Sequence, residues 1–573
     1  MPTVTLSIDG RLVQAETGST VLQAAQAAGI RIPTLCYHPD LAVRAVCRIC
    51  TVEVKGARTL QTACSFPVAE GLEVRTNTPR IRESRRVNLE LLLSNHPFEC
   101  PTCARNQDCE LRALADEYNV RRVRFQGERK QYPIDSSSFS IVRDPNKCIL
   151  CRRCVEVCNS LQAVGALGPI NRGFDTVIGP AYNEELAEIS CAMCGQCIIR
   201  CPVGALYEKD SIVDVWAALA DSTKHVVVQT APAVRVALGE EFDMPAGSIV
   251  TGKMAAVLRR LGFDAVFDTT FSADLTIMEE GYELIERINR GGVLPQLTSC
   301  SPGWIKYIEH FYPDLLPNLS TCKSPQQMLG AVVKTYYAER AGIDPASIVS
   351  VSIMPCTAKK FEAKRPEMNS SGFQDVDFVL TTREFARMIR EAGIDFASLP
   401  EESFDSPLGT GTGAAVIFGA TGGVMEAALR TAYEVLTNRE LRSVEFEAVR
   451  GMEGIKEATV DVDGLPVKVA VAHGLSNAKA LMDKLRGGEA NYHFIEIMCC
   501  PGGCLGGGGQ PIPTNAEIRK KRAMAIYEED RNLPWRKSHD NPDVQRIYKE
   551  FLGHPLSEKS HHLLHTHYTP RPR

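Results

Sequence analysis

The chain has 573 residues, too many for a single hydrophobic core, so several domains are expected. Hydrophobic residues make up 44% and charged residues 23%, a balance that excludes a disordered or fibrous chain. The net charge of −5 gives no reason to bind nucleic acid or an anionic membrane. No stretch offers the about 18 uninterrupted apolar residues that would insert into a bilayer. The opening MPTVTLSIDG has no basic stretch leading into an apolar run, so a cytoplasmic location is expected. Cysteine is the anomaly, at 21. Fifteen of these precede residue 202 at C-x-x-C-like spacings, which in a large chain without an export signal points to metal rather than disulfides.

Residues 1–13 alternate apolar and polar positions about Asp9-Gly10, a hairpin signal, and Thr20–Gly29 reads as a short helix with a glycine stop. Cys36, Cys47, Cys50 and Cys64 follow, with Val52–Val54 as a strand. Four thiolates suit a 2Fe–2S cluster, and a four-thiolate zinc site is the alternative. Their spacing resembles the β-grasp domain of complex I's large peripheral subunit, some formate dehydrogenases and larger iron–iron (FeFe) hydrogenases. Arg82–Leu93 reads as a helix delivering His96, Cys100, Cys103 and Cys109. Three thiolates leave one cubane iron unfilled, and the same families place a histidine there.

Residues 125–147 read as a polar connector. Cys148, Cys151, Cys154 and Cys158 then repeat as Cys191, Cys194, Cys197 and Cys201, each run C-x2-C-x2-C-x3-C. This is the two-cluster bacterial ferredoxin pattern, in which the fourth cysteine crosses over. It assigns Cys148, Cys151, Cys154 and Cys201 to one cubane and Cys191, Cys194, Cys197 and Cys158 to the other. From about residue 210 strand-then-helix alternation sets in, as at Val226–Gln229, at Ala265–Phe267 before Leu275–Ile288, and at Val349–Met354. Two α/β lobes with a site between them are expected. The His-rich stretch 559–567 reads as an exposed or subunit-docking tail rather than a metal tract.

Three segments of this last region carry cofactor chemistry: Thr298-Ser-Cys-Ser-Pro-Gly-Trp304, Met354-Pro-Cys-Thr-Ala-Lys-Lys360, and the run from Met498 through Cys499, Cys500 and Cys504 to Gly509. Clustered thiolates on a glycine-rich loop suit a soft metal, because glycines let backbone amides approach bridging sulfurs. The segments resemble the signatures of FeFe hydrogenases, whose H-cluster joins a cubane to a two-iron unit carrying CO, CN and a dithiolate amine. The resemblance implies that Cys356, Cys500 and Cys504 ligate the cubane, Cys504 also bridging to the two-iron unit. It implies that Met354, Met498, Ala231, Pro232 and Gln326 line the pocket and that Lys359 donates to a cyanide. The family's proton relay falls on Cys300, Glu280, Ser320 and Glu283, with Arg287 one turn beyond. Without the resemblance, Glu280 and Glu283 read as a solvated helix face.

One departure stands out. The family's first segment reads T-S-C-C-P, whereas here Ser301 holds the ligand position. Either Ser301 ligates, or Cys300 moves from relay to ligand, or Cys499, where relatives often have Ala, takes part near Cys300. The implied architecture is multidomain α+β and α/β: a β-grasp 2Fe–2S domain (1–79), a His-Cys 4Fe–4S domain (80–125), a two-cluster ferredoxin domain (138–209) and a two-lobed H-cluster domain (210–573). The implied activity is reversible oxidation of hydrogen, with one 2Fe–2S cluster, three accessory 4Fe–4S clusters and the H-cluster. No G-x-G-x-x-G turn follows a strand, so NAD(P) and flavin would sit on partner subunits, with ferredoxin and maturation proteins as further partners. A low-turnover hydrogen sensor is the alternative. A formate dehydrogenase or complex I subunit would share only residues 1–205.

Overall fold

The computed structural model describes residues 2–441, 443–462 and 464–572. Its contacts define two compact units. One is Met1–Ser160, Gly165–Leu186 and Arg200–Tyr207; the other is Leu161–Val164, Ala187–Ile199 and Glu208–Arg573.

In the first unit, β1 (Thr3–Ile8) and β2 (Arg11–Glu16) pair antiparallel with Ile8 opposite Arg11. Asp9 and Gly10 both have positive φ (50° and 81°), as a two-residue turn matched to strand twist requires. With β3 (Thr51–Val54), β4 (Gln61–Thr62) and β5 (Glu73–Arg75) they form a sheet ordered β2-β1-β5-β3-β4. Helix α1 (Val21–Ala27) starts at a capping box between Thr20 and Gln23, and buries Val21 and Leu22 against Leu6, Ile8 and Val52. Helix α2 runs Pro79–Ser94, longer than the sequence suggested, because Thr78 caps it and Pro79 occupies the first turn. Its buried Arg85 donates to the carbonyls of Ile49 and Thr51, tying the helix to the loop carrying Cys47 and Cys50. A short helix, α3 (Glu110–Glu117), follows Cys109. The expected polar connector ends early: Ile141–Arg143 form a buried strand, β6.

The second unit holds two sheets. Strands β7 (His225–Thr230), β8 (Ala265–Asp268), β10 (Ile348–Met354) and β11 (Phe378–Thr381) form a parallel sheet ordered β8-β7-β10-β11. The other is ordered β9-β14-β13-β12, from β9 (Gln296–Leu297), β12 (Ile455–Val462), β13 (Leu465–His473) and β14 (Phe494–Met498). Only the β12–β13 hairpin in it is antiparallel. The central strands are largely buried and mostly apolar, as in sheets covered on both faces, with Ser350 and Ser352 in β10 and Glu496 in β14 among the polar exceptions. Val228, Val351 and Ile353 pack with Leu258 and Phe385, and Ile495 and Ile497 with Trp304 and Leu481.

Helix α4 (Thr269–Arg290) leaves β8 through an Asp268 cap, and its length lets one helix carry Glu279, Glu280 and Glu283. Helix α5 (Pro302–Phe311) follows the first cysteine segment, and α6 (Pro325–Val332) follows Ser324. Helix α7 (Ala358–Glu362) follows the second cysteine segment. The His-rich tail is not an exposed arm. Helix α8 (Glu558–Leu564) folds back, burying Leu563 and Leu564, and Lys323 N donates to Leu564 O at 2.8 Å. The Leu-Leu pair supplies the apolar drive and His565 follows it inside, while His561 and His562 stay exposed.

Candidate functional site

Four segments converge because four parallel strands end together. Ala231-Pro232 follows β7, Cys300-Ser301 follows β9, Pro355-Cys356 follows β10, and Cys499-Cys500 follows β14. Open α/β sheets place ligand sites at these carboxyl ends, where loops rather than strand pairing set the chemistry. Between them lies a cleft with about 800 Å³ free of protein atoms. It is lined by Cys300, Ser301, Cys356, Cys500, Cys504, Lys359, Gln326, Met354 and Met498, with Ala231, Pro232 and Phe418.

The walls are apolar, with Cys500 buried and Cys356 and Cys504 partly buried. Burial pushes the Cys356 and Cys504 thiols up, Cys504 to about 12, so neither ionises alone at neutral pH. Metal coordination changes that balance, since a bound cation deprotonates a thiol outright. Three such thiols around one cavity fit an iron–sulfur group.

The glycine loop has a second reason for its composition. A Cβ on Gly507 would lie 2.1 Å from Pro355 O, and one on Gly508 would lie 2.3 Å from Cys194 O. Gly502 and Gly503 have φ of +78° and +80°. Close backbone packing and left-handed geometry thus demand glycine here before any cofactor does.

Ser301 and Cys499 form a linked pair. Ser301 precedes α5, and its Oγ accepts from the Cys499 amide at 3.2 Å. The Cys499 thiol lies against Cys194 and Cys500, contacts that together with burial push its pKa well up. A Cβ on Gly303 would come within 2.7 Å of Cys499 Sγ. Cys499 and Cys300 line the same cleft, and Cys499 N reaches Ser301, the residue next to Cys300.

Lys359 is held by a residue the sequence reading missed. Its Nζ donates to Glu362 Oε2 at 2.9 Å and to Cys300 O at 3.2 Å. Glu362 Oε2 also accepts from Ser324 Oγ at 2.9 Å and Gln326 Nε2 at 3.1 Å. The signal was the Lys359-x-x-Glu362 spacing, which puts both on one face of α7. Replacing Glu362 with Gln removes the charge that anchors Lys359, and turnover should fall about tenfold. Infrared spectra of the loaded enzyme check this through shifted cyanide bands; unshifted bands would show that Glu362 does not set the lysine.

The carboxylates are buried rather than solvated. Glu280 is 1% exposed and makes no close hydrogen bond among the described residues, with only weak polar contact to Ser320 and Ser299. Burial, reinforced by the Glu283 charge, raises its pKa to about 8. Ser320 Oγ donates to Glu283 Oε2 at 2.7 Å, and Arg287 donates to Glu283 Oε1 at 2.7 Å. Burial and the nearby Glu280 charge push the Cys300 thiol up. The residues Cys300, Glu280, Ser320 and Glu283 therefore lie in one buried series that starts at the cleft.

In the first unit thiols lie in contact with one another. Contact with Cys47 lowers Cys36 to about 6, contact with Cys64 lowers Cys50, and the charges of Cys36 and Cys47 reach Cys64. His96, Cys100, Cys103 and Cys109 line one pocket. The His96 Nδ1 is buried with no partner among the described residues, and burial lowers its pKa to about 4. A neutral imidazole with a free lone pair suits metal ligation. Cys148, Cys151, Cys154 and Cys201 line another pocket. Cys158 belongs to the first unit, and Cys191, Cys194 and Cys197 to the second.

Fold and site together define a class, the iron-only hydrogenases. Residues 224–508 match the iron only hydrogenase large subunit, C-terminal domain, and 516–571 the iron hydrogenase small subunit. Residues 1–79 match a 2Fe–2S iron–sulfur cluster binding domain, 85–124 the NADH-ubiquinone oxidoreductase-G iron–sulfur binding region, and 139–207 the NADH-quinone oxidoreductase subunit 3 ferredoxin-like domain.

The chain is 52% identical to the NADP-reducing hydrogenase subunit HndD of Solidesulfovibrio fructosivorans, over the whole of both chains. It is 43% identical to iron hydrogenase 1 of Clostridium pasteurianum, over 98% of this chain and 99% of that one. The solved structure of a variant of the FeFe-hydrogenase HydA1 from Chlamydomonas reinhardtii superposes with a TM-score of 0.57 at 46% identity, covering 64% of this chain and all of that one. The chain belongs to the FeFe hydrogenase family. The multidomain α+β and α/β class with iron–sulfur and H-cluster domains is the one expected, and the formate dehydrogenase reading falls with the match to residues 224–508.

Proposed function

We propose that this chain interconverts H2 with two protons and two electrons, passing the electrons along its iron–sulfur clusters. The observation that carries the reading is the meeting of four strand-end segments around a thiol-lined apolar cleft, beside a buried carboxylate series. When bound, the H-cluster supplies the iron at which a molecule with no charge or dipole is split heterolytically. The protein's part is to hold that group, keep water out and move protons. Cys356, Cys500 and Cys504 would hold the cubane. Lys359, fixed by Glu362, points an ammonium at the pocket, and Met354, Met498, Ala231, Pro232 and Gln326 pack round it. Protons travel by Cys300, Glu280, Ser320 and Glu283, where Glu280, neutral near pH 7, can both give and take one.

The fourth cubane ligand would be Cys499. Ser301 Oγ already accepts the Cys499 amide, and the Cys499 thiol adjoins Cys500. A thiolate suits iron better than a serine alkoxide. This leaves Cys300 free for protons.

One 2Fe–2S cluster on Cys36, Cys47, Cys50 and Cys64, three accessory cubanes and the H-cluster make up the chain of cofactors, on domains 1–79, 80–125, 138–209 and 210–573. The relative named as an NADP-reducing hydrogenase subunit supports an assembly in which a partner subunit carries NAD(P) and flavin. Ferredoxin is a further electron partner, and maturation proteins deliver the two-iron unit. No helix among the described residues is long and apolar enough to cross a membrane, which accords with work in the cytoplasm.

The test is hydrogen oxidation with viologen by the matured protein, read with infrared spectra in the CO/CN region. Turnover with bands is the expected result. Bands with only trace turnover would turn the reading to a sensor, and no bands after verified maturation would end the H-cluster assignment.

A further inference from the structure

Outside the cleft, at the far end of the carboxylate series, three different metal-binding side chains from three parts of the fold meet. Glu283 comes from α4, Cys322 follows Ser320, and His565 follows α8, brought in where Cys322 and His565 bridge as an isolated β pair. Cys322 Sγ lies 3.9 Å from Glu283 Oε2 and 4.0 Å from His565 Nδ1, and all three donor atoms lie within 4.8 Å of one another. Sulfur and nitrogen ligands on a tetrahedral zinc stand roughly 3.5 Å apart. The set needs to contract by only a few tenths of an ångström at the sulfur.

A second observation points the same way. His565 Nε2 lies 3.1 Å from Glu279 Oε2, and Glu279 also accepts from Leu556 N at 2.9 Å and from the Tyr548 hydroxyl. A carboxylate held this way accepts a hydrogen bond from Nε2–H and leaves the Nδ1 lone pair turned toward Cys322 and Glu283. Histidine ligands in metal sites are commonly oriented by such a carboxylate. At present Thr321 Oγ1 occupies that lone pair, at 2.7 Å, and is the group a cation would displace.

We propose that Glu283, Cys322 and His565 form a site for a divalent cation of the zinc class, and that its occupancy shuts the proton relay. Binding expels the Cys322 thiol proton, so one proton leaves per cation taken up. The cation takes Glu283 Oε2, the same oxygen that accepts from Ser320 Oγ. Entry is from the Glu283–Arg287 edge, where the two side chains are 12% and 14% exposed. The inhibition, though not the binding, rests on the relay reading given under Proposed function.

The experiment titrates Zn2+ alone into anaerobic, cluster-replete holoenzyme while hydrogen oxidation with viologen is followed. Zinc-edge X-ray absorption on the same samples counts sulfur neighbours. Expected are saturable inhibition of at least about tenfold and a single Zn–S distance of about 2.3 Å. In Cys322→Ala the sulfur neighbour and the inhibition, measured against that variant's own zinc-free rate, should both disappear. His565→Gln is the companion variant should Cys322→Ala not fold, and zinc should bind it more weakly. Zinc with no sulfur neighbour, with the three or four sulfurs of a vacated cluster, or with undiminished inhibition of Cys322→Ala would overturn the site. Binding through one sulfur without inhibition would leave the site standing and overturn the relay role of Glu283.

Discussion

Replacing Glu280 with Gln will lower hydrogen turnover by about 10²–10⁴-fold while leaving the CO and CN infrared bands in place. The amide keeps the shape of the buried side chain but cannot exchange a proton as an acid. Glu280 has the features of a relay group: it is 1% exposed, its oxygens make only weak contact with Ser320 and Ser299, and its charge bears directly on Cys300. Its pKa of about 8 keeps it protonated at neutral pH yet close enough to cycle. The same shift predicts a stability signature. From about pH 4.5 to about pH 8 the folded chain holds a proton that the unfolded chain has lost, so this group costs stability increasingly as pH rises. Glu280→Gln removes that cost, on the order of a few kcal/mol at the alkaline end. Its melting temperature should therefore gain on the native protein as pH rises through that window. Native turnover in Glu280→Gln would remove Glu280 from the relay, and parallel melting curves across pH would contradict its raised pKa.

The iron–sulfur domains were legible because metal chemistry writes itself locally. C-x2-C-x2-C-x3-C fixes ligand type and spacing within a dozen residues, and the structure gathers Cys148, Cys151, Cys154 and Cys201 in one pocket. The strands were legible too, since Val226–Val228 is an apolar run and Val349–Met354 is apolar except at Ser350 and Ser352, and parallel pairing joins the two. What the residues alone misjudged was set by tertiary context. Glu280 and Glu283 read as solvated because three-residue spacing on a helix does not say what covers it. The covering comes from segments far along the chain, with Ser320 and Thr321 bonding Glu283 and the 279 side chain reaching His565. The His-rich tail misled for the same reason, since its buried partner Glu279 lies 286 positions away. Glu362 went unnoticed because a charge three residues from a lysine is common on exposed helices, and only burial gives it consequence.

Cys499→Ala should abolish the cubane signal of the H-cluster in electron paramagnetic resonance, and with it the CO and CN bands and turnover. Ser301→Ala should retain all three. The asymmetry follows from what each side chain does. Ser301 gives its oxygen to the Cys499 amide, a bond whose loss costs about 1 kcal/mol and loosens one loop. Cys499 offers sulfur beside Cys500 on a loop that glycine packing against Pro355 and Cys194 holds rigid. A cubane with three thiolates and an alkoxide would pair soft iron–sulfur chemistry with a hard, weakly acidic ligand. With Cys499 as the ligand in place of position 301, the ligand count would be kept and only the strand end that supplies it would change. The double change Ser301→Cys with Cys499→Ala then serves as a rescue: returning a thiol to 301 should restore the cubane signal that Cys499→Ala loses. If Cys499→Ala keeps its cubane spectrum while Ser301→Ala loses it, the serine is the ligand. If both single variants keep it and Cys300→Ala does not, Cys300 has taken the place and the relay must begin elsewhere.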